Sequence, residues 1–345
     1  MLKKVPIDMY HTDFAVNIDH VTKTFTQWQR DNTGMGLIKN LIKPEKQTIT
    51  ALDDVTFSIG KGEFVAYAGP NGAGKSTTMK LLGGMLLPNC GEISVLSMSP
   101  QKQRTALMQR LGILFGNRTE LWWDHPVIQS FEWKKVVWGI PDEMYKQNLA
   151  MVIEILDIGD LLKTFARELS LGQRMKADLA MMLLHSPEII LLDEPTLGLD
   201  VVAKRQMIDF LKRINKDNGV TIIVTSHDMD DLEEMAERIL MISSGKIAFD
   251  GSFNDLRSIT GNLTRVAVTM EENTTPKIEN GNLLSSENGT YEYDVDLVKM
   301  PVRDLLRQLS TVDGVRDVEI KKAPIEQVIA GLYKDWSADK NARRA

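Results

Sequence analysis

The sequence predicts an α/β protein built on a buried parallel sheet, followed by a smaller α+β domain. Three observations predict it. A glycine-rich turn, Gly69 to Thr77, stands between a short apolar run, Glu63 to Ala68, and a helix start, Thr77 to Leu82. Two more runs, Ile189 to Leu192 and Thr221 to Thr225, end at the polar clusters Asp193-Glu194 and Ser226-His227-Asp228. Runs of this type fit parallel strands buried on both faces. Beyond Leu256 the pattern changes to alternation, with Val266, Val268 and Met270, then Tyr291, Tyr293, Val295 and Leu297. Alternation marks strands with one buried face.

Along the chain, residues 1–13 are expected to be a loose lead-in. Residues 14–25 and 50–68 read as strands, punctuated by Gly60-Lys-Gly62. Between them, residues 26–48 read as an insertion. Leu37, Ile38, Leu41 and Ile42 recur at helical spacing there, after Met35, with Lys39, Lys43 and Lys46 among and after them. A short basic amphipathic helix suits a membrane surface or a partner's groove, and equally suits packing on its own domain. From Met79 to Ser99 a helix ends and a strand comes next; a linker with Lys102, Arg104 and Arg110 leads to Gly112–Phe115. Residues 118–165 read as a helical subdomain, which with the next helix extends over 118–187.

Five of the sixteen Phe and Trp residues concentrate within 122–138 of this subdomain: Trp122, Trp123, Phe131, Trp133 and Trp138. They suit a binding hot spot or a small core. The reading adopted is mixed, with Trp133 and Trp138 inside and Trp122 or Trp123 at a docking groove. Helices are expected over 171–187, 201–215 and 228–237, and strands over 188–193 and 220–225. The strongly acidic 228–237 segment reads as a solvated face. Arg238–Ile242 and Lys246–Asp250 meet at a Ser244-Gly245 turn. The small domain, 257–336, reads β-β-α-β-α. Its first two strands are joined by a polar connection, Glu272 to Gly289. A helix carries Val302, Leu305, Leu306 and Leu309, a strand spans Val315 to Ile320, and a last helix carries Ile325, Val328, Ile329 and Leu332. Residues 337–345 are expected to be a disordered tail.

Composition narrows the function class. The 345 residues are 43% hydrophobic and 26% charged, ordinary for a globular protein. A net charge of −6 offers no footprint for nucleic acid. Cys90 is the single cysteine, so no intramolecular disulfide forms, which fits a reducing compartment. The opening residues lack the apolar core of a signal peptide. No uninterrupted apolar run approaches the roughly eighteen residues of a membrane-spanning helix.

The chemistry starts at Gly69-Pro70-Asn71-Gly72-Ala73-Gly74-Lys75-Ser76-Thr77, which fits the phosphate-loop pattern of a glycine, four residues, then Gly-Lys-Ser. The glycines let the backbone curl so that its N–H groups face phosphates. The helix N-terminus adds a field that favours an anion. Lys75 is expected on the β- and γ-phosphates of ATP, and Ser76 on Mg²⁺. Asp193, at the end of an apolar strand, would hold Mg²⁺ through water, and Glu194 would orient and polarise an attacking water. An acidic pair at a buried strand end is costly without a cation.

Leu169-Ser-Leu-Gly-Gln173 is followed by Leu191-Leu-Asp-Glu-Pro195 and then by Ser226-His-Asp228. This set, in this order, resembles the ATP-binding cassette (ABC) family over roughly Phe14 to Gly251. The resemblance implies an ABC-type P-loop ATPase cassette over 14–256, with a RecA-like α/β core, an antiparallel β subdomain and a helical subdomain. It implies a head-to-tail dimer, formed with a second copy or with a related cassette. Each ATP would lie between one phosphate loop and the partner's Ser170, Gly172 and Gln173. Asp200 would couple the two sites, and His227 would sit near the γ-phosphate.

Phe25 matches the aromatic that stacks on adenine, the reading adopted over a core Phe at the end of the first strand. Asn117 stands where the family has a glutamine that contacts Mg²⁺; its amide is one methylene shorter. Leu171 replaces a usual glycine. The segment Gly112 to Asp124 is similar to a branch of exporter ATPases. By resemblance, the chain would be the ATP-hydrolysing subunit of a membrane exporter. Integral-membrane permease subunits would hold it at the cytoplasmic face of the cell membrane, with no nucleic-acid partner. Two other readings stay open. Asn117 and Leu171 motivate a weakly hydrolysing cassette in an asymmetric pair. A soluble cassette protein acting on ribosomes or DNA is disfavoured by the single cassette and by the lack of a heptad run. Similar exporters end with a segment like Ala323-Pro-Ile-Glu-Gln-Val, and the small domain is read as aiding dimerisation or regulation.

Overall fold

The computed structural model describes residues 14–29, 45–115, 119–259, 263–271, 275–297, 299–322, 325 and 329, with the backbone alone at 28, 29, 45, 263 and 322. The chain divides into two compact units between Asp250 and Gly251.

The first unit is an α/β cassette. Its six-stranded sheet runs in the order β5 (Leu111–Phe115), β6 (Ile189–Asp193), β7 (Thr221–Thr225), β3 (Phe64–Ala68), β8 (Arg238–Ser243) and β9 (Lys246–Ser252). The pairings from β5 through β8 are parallel. β3 and β7 are buried at every residue, and β6 at every residue but Asp193. That explains their unbroken apolar runs, since side chains on both faces meet protein. A three-stranded antiparallel sheet pairs β2 (Glu45–Gly60), β1 (Phe14–Gln29) and β4 (Cys90–Val95). α1 (Lys75–Leu82) shares one core with both sheets: Met79, Leu81 and Leu82 pack with Val16, Ile18 and Leu52 and with Tyr67, Leu191 and Ile223.

The helices of this unit are α2 (Arg104–Met108), α3 (Val127–Trp138), α4 (Asp142–Leu156), α5 (Leu171–Leu183), α6 (Val201–Asn218) and α7 (Met229–Met235). Pro126 and Pro141 stand at the N-caps of α3 and α4 in extended conformation. The side chains of Ser170, Asp200 and Asp228 cap α5, α6 and α7. Such caps satisfy N–H groups that a helix start leaves unpaired.

Three expectations need correction. The first two strands do not stop at 25 and resume at 50: β1 runs to Gln29 and β2 starts at Glu45, with Thr26 opposite Thr48 and Gln27 opposite Gln47. The side chains there are exposed and polar, so no alternation marks them, yet the backbone ladder continues. The rest of the insertion, including the expected amphipathic helix, lies outside the described residues. Trp133 is not inside: it is 38% exposed, while Trp138 is half-buried. The helix expected over 171–187 ends at Leu183.

The second unit holds α8 (Phe253–Ile259), β10 (Leu263–Met270), β11 (Gly281–Glu287), β12 (Thr290–Asp296), α9 (Val302–Leu309) and β13 (Val315–Lys322). Its antiparallel sheet has the order β11-β12-β10-β13. Val266, Val268, Tyr291, Tyr293 and Val295 face a core closed by Leu305 and Leu309 of α9. The polar connection expected over 272–289 contains β11, an edge strand whose residues are exposed or half-buried. Ile325 and Ile329 are helical and buried. Val328 and Leu332, the lead-in at 1–13 and the tail at 337–345 lie outside the described residues.

Candidate functional site

The phosphate loop leaves β3 at its C-terminal end and enters α1, so it sits at the edge of the parallel sheet where ligands of such folds gather. Gly72 has φ +77 and open space where a side chain would be. Gly74 has φ +118, and a Cβ there would lie 2.6 Å from the Ala51 carbonyl oxygen. Any other residue at 74 would be strained twice over. No side chain caps α1, and its first turn carries no acidic residue, so its N–H groups are left for an anion. Thr78 anchors the loop from beneath, its hydroxyl donating to Gly74 O (3.1 Å) and paired with the buried Tyr67 hydroxyl (3.0 Å).

Lys75 is 6% exposed. Its ammonium donates to the loop carbonyls of Gly69 (2.7 Å) and Pro70 (3.3 Å). Burial lowers its pKa, and the nearby charges of Glu194 and Asp193 oppose that shift. The coupling puts Lys75 and both carboxylates in one electrostatic neighbourhood.

Asp193 and Glu194 stand at the end of β6, and His227 just beyond the end of the neighbouring β7. His227 Nε2 lies 2.7 Å from Glu194 Oε1. Glu194 holds φ +58, a left-handed conformation uncommon for a non-glycine residue. Its N–H donates to Thr225 O (3.0 Å) and to Thr225 Oγ1 (3.1 Å). Strain of this kind persists where surrounding bonds over-determine it. The Thr225 hydroxyl in turn donates to Asp193 Oδ1 at 2.6 Å. Thr225 is fully buried and pairs with Asp193 in the sheet register. Sequence reading missed it; the signal was a hydroxyl closing the strand that runs beside Asp193.

These residues fit a nucleoside triphosphate with Mg²⁺. Among the described residues no group of three or more His, Cys, Asp or Glu forms a metal cage. Ser76 and Asp193 supply a hydroxyl and a carboxylate, hard oxygens suited to a Mg²⁺ that also takes phosphate oxygens.

Ser170 and Gln173 stand apart from this cluster in the chain, at the start of α5. They form a reciprocal cap: Gln173 N–H donates to Ser170 Oγ (3.3 Å) and Ser170 N–H to Gln173 Oε1 (2.9 Å). Both residues are exposed. Gly172 is half-buried, and a Cβ on it would come within 3.2 Å of Ala203 Cβ, so the turn lies against the start of α6. Asp200 caps that helix through Ala203 N–H (2.8 Å). Phe25 is half-buried on β1, opposite Ile49, with the Lys23 ammonium 5.2 Å from its ring centre. Asn117 lies outside the described residues.

Residues 52–197 match the ABC transporter family. The chain is 30% identical over 212 residues to the ABC transporter ATP-binding protein NatA of Bacillus subtilis, covering 61% of this chain and 86% of that one. It is 30% identical over 228 residues to the methionine import ATP-binding protein MetN of Carboxydothermus hydrogenoformans, covering 64% of this chain and 67% of that one. In three dimensions it is similar to the ATP-binding cassette MJ0796, solved as a dimer in a post-hydrolysis state with ADP and Pi. The TM-score is 0.57 at 23% identity, over 69% of this chain and 98% of that one. At that identity the likeness speaks for the fold.

Proposed function

The chain belongs to the ABC transporter family as an ATP-binding subunit, and from that premise we propose that it is the ATP-hydrolysing motor of a membrane exporter, working as a head-to-tail dimer on separate permease chains. The observation that carries the reading is the Glu194 carboxylate, at the edge of the sheet beside Asp193, with its Oε1 2.7 Å from His227 Nε2 and its charge felt at Lys75.

Lys75 would exchange its carbonyl partners for β- and γ-phosphate oxygens of ATP. Ser76 and Asp193, with Asn117, would hold Mg²⁺, which when bound supplies positive charge against the phosphates. Glu194 would take the proton of the water as its oxygen bonds to the γ-phosphorus and the bond to the bridging oxygen breaks, leaving ADP and phosphate. His227, 2.7 Å from Glu194 Oε1, would orient that carboxylate and would donate to a phosphate oxygen of bound ATP. Phe25 would stack on adenine.

The exposed Ser170 and Gln173, with Gly172, would meet the γ-phosphate bound to the second chain, and Asp200 would couple the paired sites. Leu197, Val201 and Val202 flank Asp200 and are exposed, Val201 at 81%. Apolar side chains so placed suit cover by a second cassette.

Trp122, Trp123, Trp133, Val136 and Val137 are exposed in the helical subdomain, and the Trp122 and Trp133 rings lie 5.5 Å apart. An aromatic patch of this kind suits a permease contact. Among the described residues no helix is long and apolar enough to cross a membrane. The cassette would be held at the cytoplasmic face by its permease. The likeness of Gly112–Asp124 to exporter ATPases favours export, and the likeness to a methionine importer makes import the competing direction.

The test is Glu194→Gln. The amide keeps an oxygen for His227 but cannot accept the water's proton. ATP binding should persist, hydrolysis should fall by about 10²-fold or more, and the closed dimer should accumulate with ATP. Hydrolysis at the parent rate would overturn the assignment of Glu194.

A further inference from the structure

His227 reaches Glu194 from the middle of a short turn. The Ser226 hydroxyl accepts from Asp228 N–H (3.0 Å), so the chain bends across His227. Ser226 is buried, whereas the His227 side chain is 47% exposed. A ring so open to solvent is placed by its backbone more than by packing.

The far side of that turn is tied to another element. The Lys204 ammonium, on α6, donates to Asp228 Oδ2 (2.7 Å) and lies 3.0 Å from Asp231 Oδ2 on α7. Asp228 uses its other oxygen to cap α7, accepting from Asp231 N–H (3.1 Å). Asp231 is 6% exposed, and a carboxylate so buried is costly without a cation. The Asp228 bond raises the Lys204 pKa against the pull of partial burial, and Asp231 adds to it. The ammonium therefore stays charged through the neutral range.

Lys204 has a rigid base. α6 runs for 18 residues and buries Met207, Ile208, Phe210, Leu211 and Ile214. Ile208 stands one turn beyond Lys204, on the same face of the helix. Lys204 N–H donates to Asp200 O (2.9 Å), closing the first turn. The His227 turn is thus held by β7 on one side and by α6, through Lys204, on the other.

We propose that Lys204 is a positioning residue for His227: its ammonium, set between Asp228 and Asp231, fixes the Ser226–Asp228 turn on α6 and so keeps the His227 ring against Glu194. This rests on the reading of His227 and Glu194 as parts of the hydrolytic site.

The test uses the full chain with Lys204→Met, which keeps the stem and removes the charge, Lys204→Arg, His227→Ala, and Lys204→Met combined with His227→Ala. Lys204→Met should lower kcat by about tenfold and leave KM within about twofold. Lys204→Arg should recover the rate to within about threefold of the parent. Lys204→Met should slow the His227→Ala chain no further, since it acts through that ring. NMR of the His227 ring in the nucleotide-free chain gives the second readout. Glu194→Gln should move the ring signals in the parent and leave them nearly still in Lys204→Met, where the ring no longer meets residue 194. Parental kcat in Lys204→Met, an additive loss with His227→Ala, a Lys204→Arg variant as slow as Lys204→Met, or ring signals that respond to Glu194→Gln as they do in the parent would each overturn the proposal. If Lys204→Met fails to fold, Asp228→Asn decides by the same readouts, because it keeps one oxygen for the α7 cap and removes the one that meets Lys204. Should the parent chain hydrolyse no ATP, the proposed function falls, and the ring signals still decide whether Lys204 places His227.

Discussion

Thr225 is the residue that holds the Asp193 carboxylate and the Glu194 backbone together. Its hydroxyl donates to Asp193 and accepts from Glu194 N–H, and its carbonyl takes the same N–H. Thr225→Val keeps shape and removes the hydroxyl. The expected outcome is a stability loss of about 1–3 kcal/mol, the usual result of orphaning a buried polar partner, with a larger fractional loss of kcat than of nucleotide affinity. Denaturant titration and steady-state hydrolysis check it.

His185 gives a residue-scale prediction in pH. Its Nε2 donates to Leu111 O (3.2 Å) and its ring packs on Trp138 at 4.6 Å. Burial, aided by the Lys134 charge, pushes the imidazole down to about 4 from 6.5, and the Leu111 bond opposes the shift. Between those values the unfolded chain binds a proton that the folded chain refuses. The contribution is fully present above about pH 6.5 and is lost as pH falls toward 4. The His185 imidazole signal should stay flat in proton NMR through about pH 5.5. His185→Gln should lose that part of the acid sensitivity in denaturant midpoints.

At the scale of elements, α5 presents its capped start outward. Ser170→Arg removes a side-chain cap, which costs about 1 kcal/mol, and fills the turn with a long cation. Analogue binding to the dilute chain should persist, while turnover should be abolished. Loss of binding in the isolated chain would contradict a role across the dimer. Fluorescence titration beside an ATPase assay separates the two.

The elements also show what was legible in the residues alone. β3, β6 and β7 carry unbroken apolar runs because protein covers both faces, and their ends place Asp193, Glu194 and His227 at one edge. β11 was hidden: it is an edge strand with exposed Leu283 and Leu284, so it has no buried face to write an alternation. The outer ends of β1 and β2 were hidden for a related reason, since backbone pairing of exposed polar residues leaves no periodic trace. Trp133 misled because a large aromatic side chain reads as core, whereas here it is exposed beside Trp122. Thr225 and Lys204 were hidden because their partners lie 32 and 24 residues away, and only the sheet register and the packing of α6 bring them close.

At the scale of the whole molecule, the chain is a cassette followed by a small α+β unit, each with its own core. Among the described residues, three features of the cassette stand exposed: Ser170 and Gln173, then Leu197, Val201 and Val202 around Asp200, and the aromatic patch of the helical subdomain. The first two belong to a second cassette in this account, and the third to a permease. Dimer formation should therefore be linked to nucleotide by mass action, with ATP favouring the closed pair and its hydrolysis releasing it. The most direct measurement is the ATP hydrolysis rate per chain as a function of protein concentration, beside sizing of Glu194→Gln with and without ATP. The account predicts a rate per chain that rises with concentration and a variant that becomes dimeric only with ATP. A concentration-independent rate from a chain that stays monomeric would contradict it.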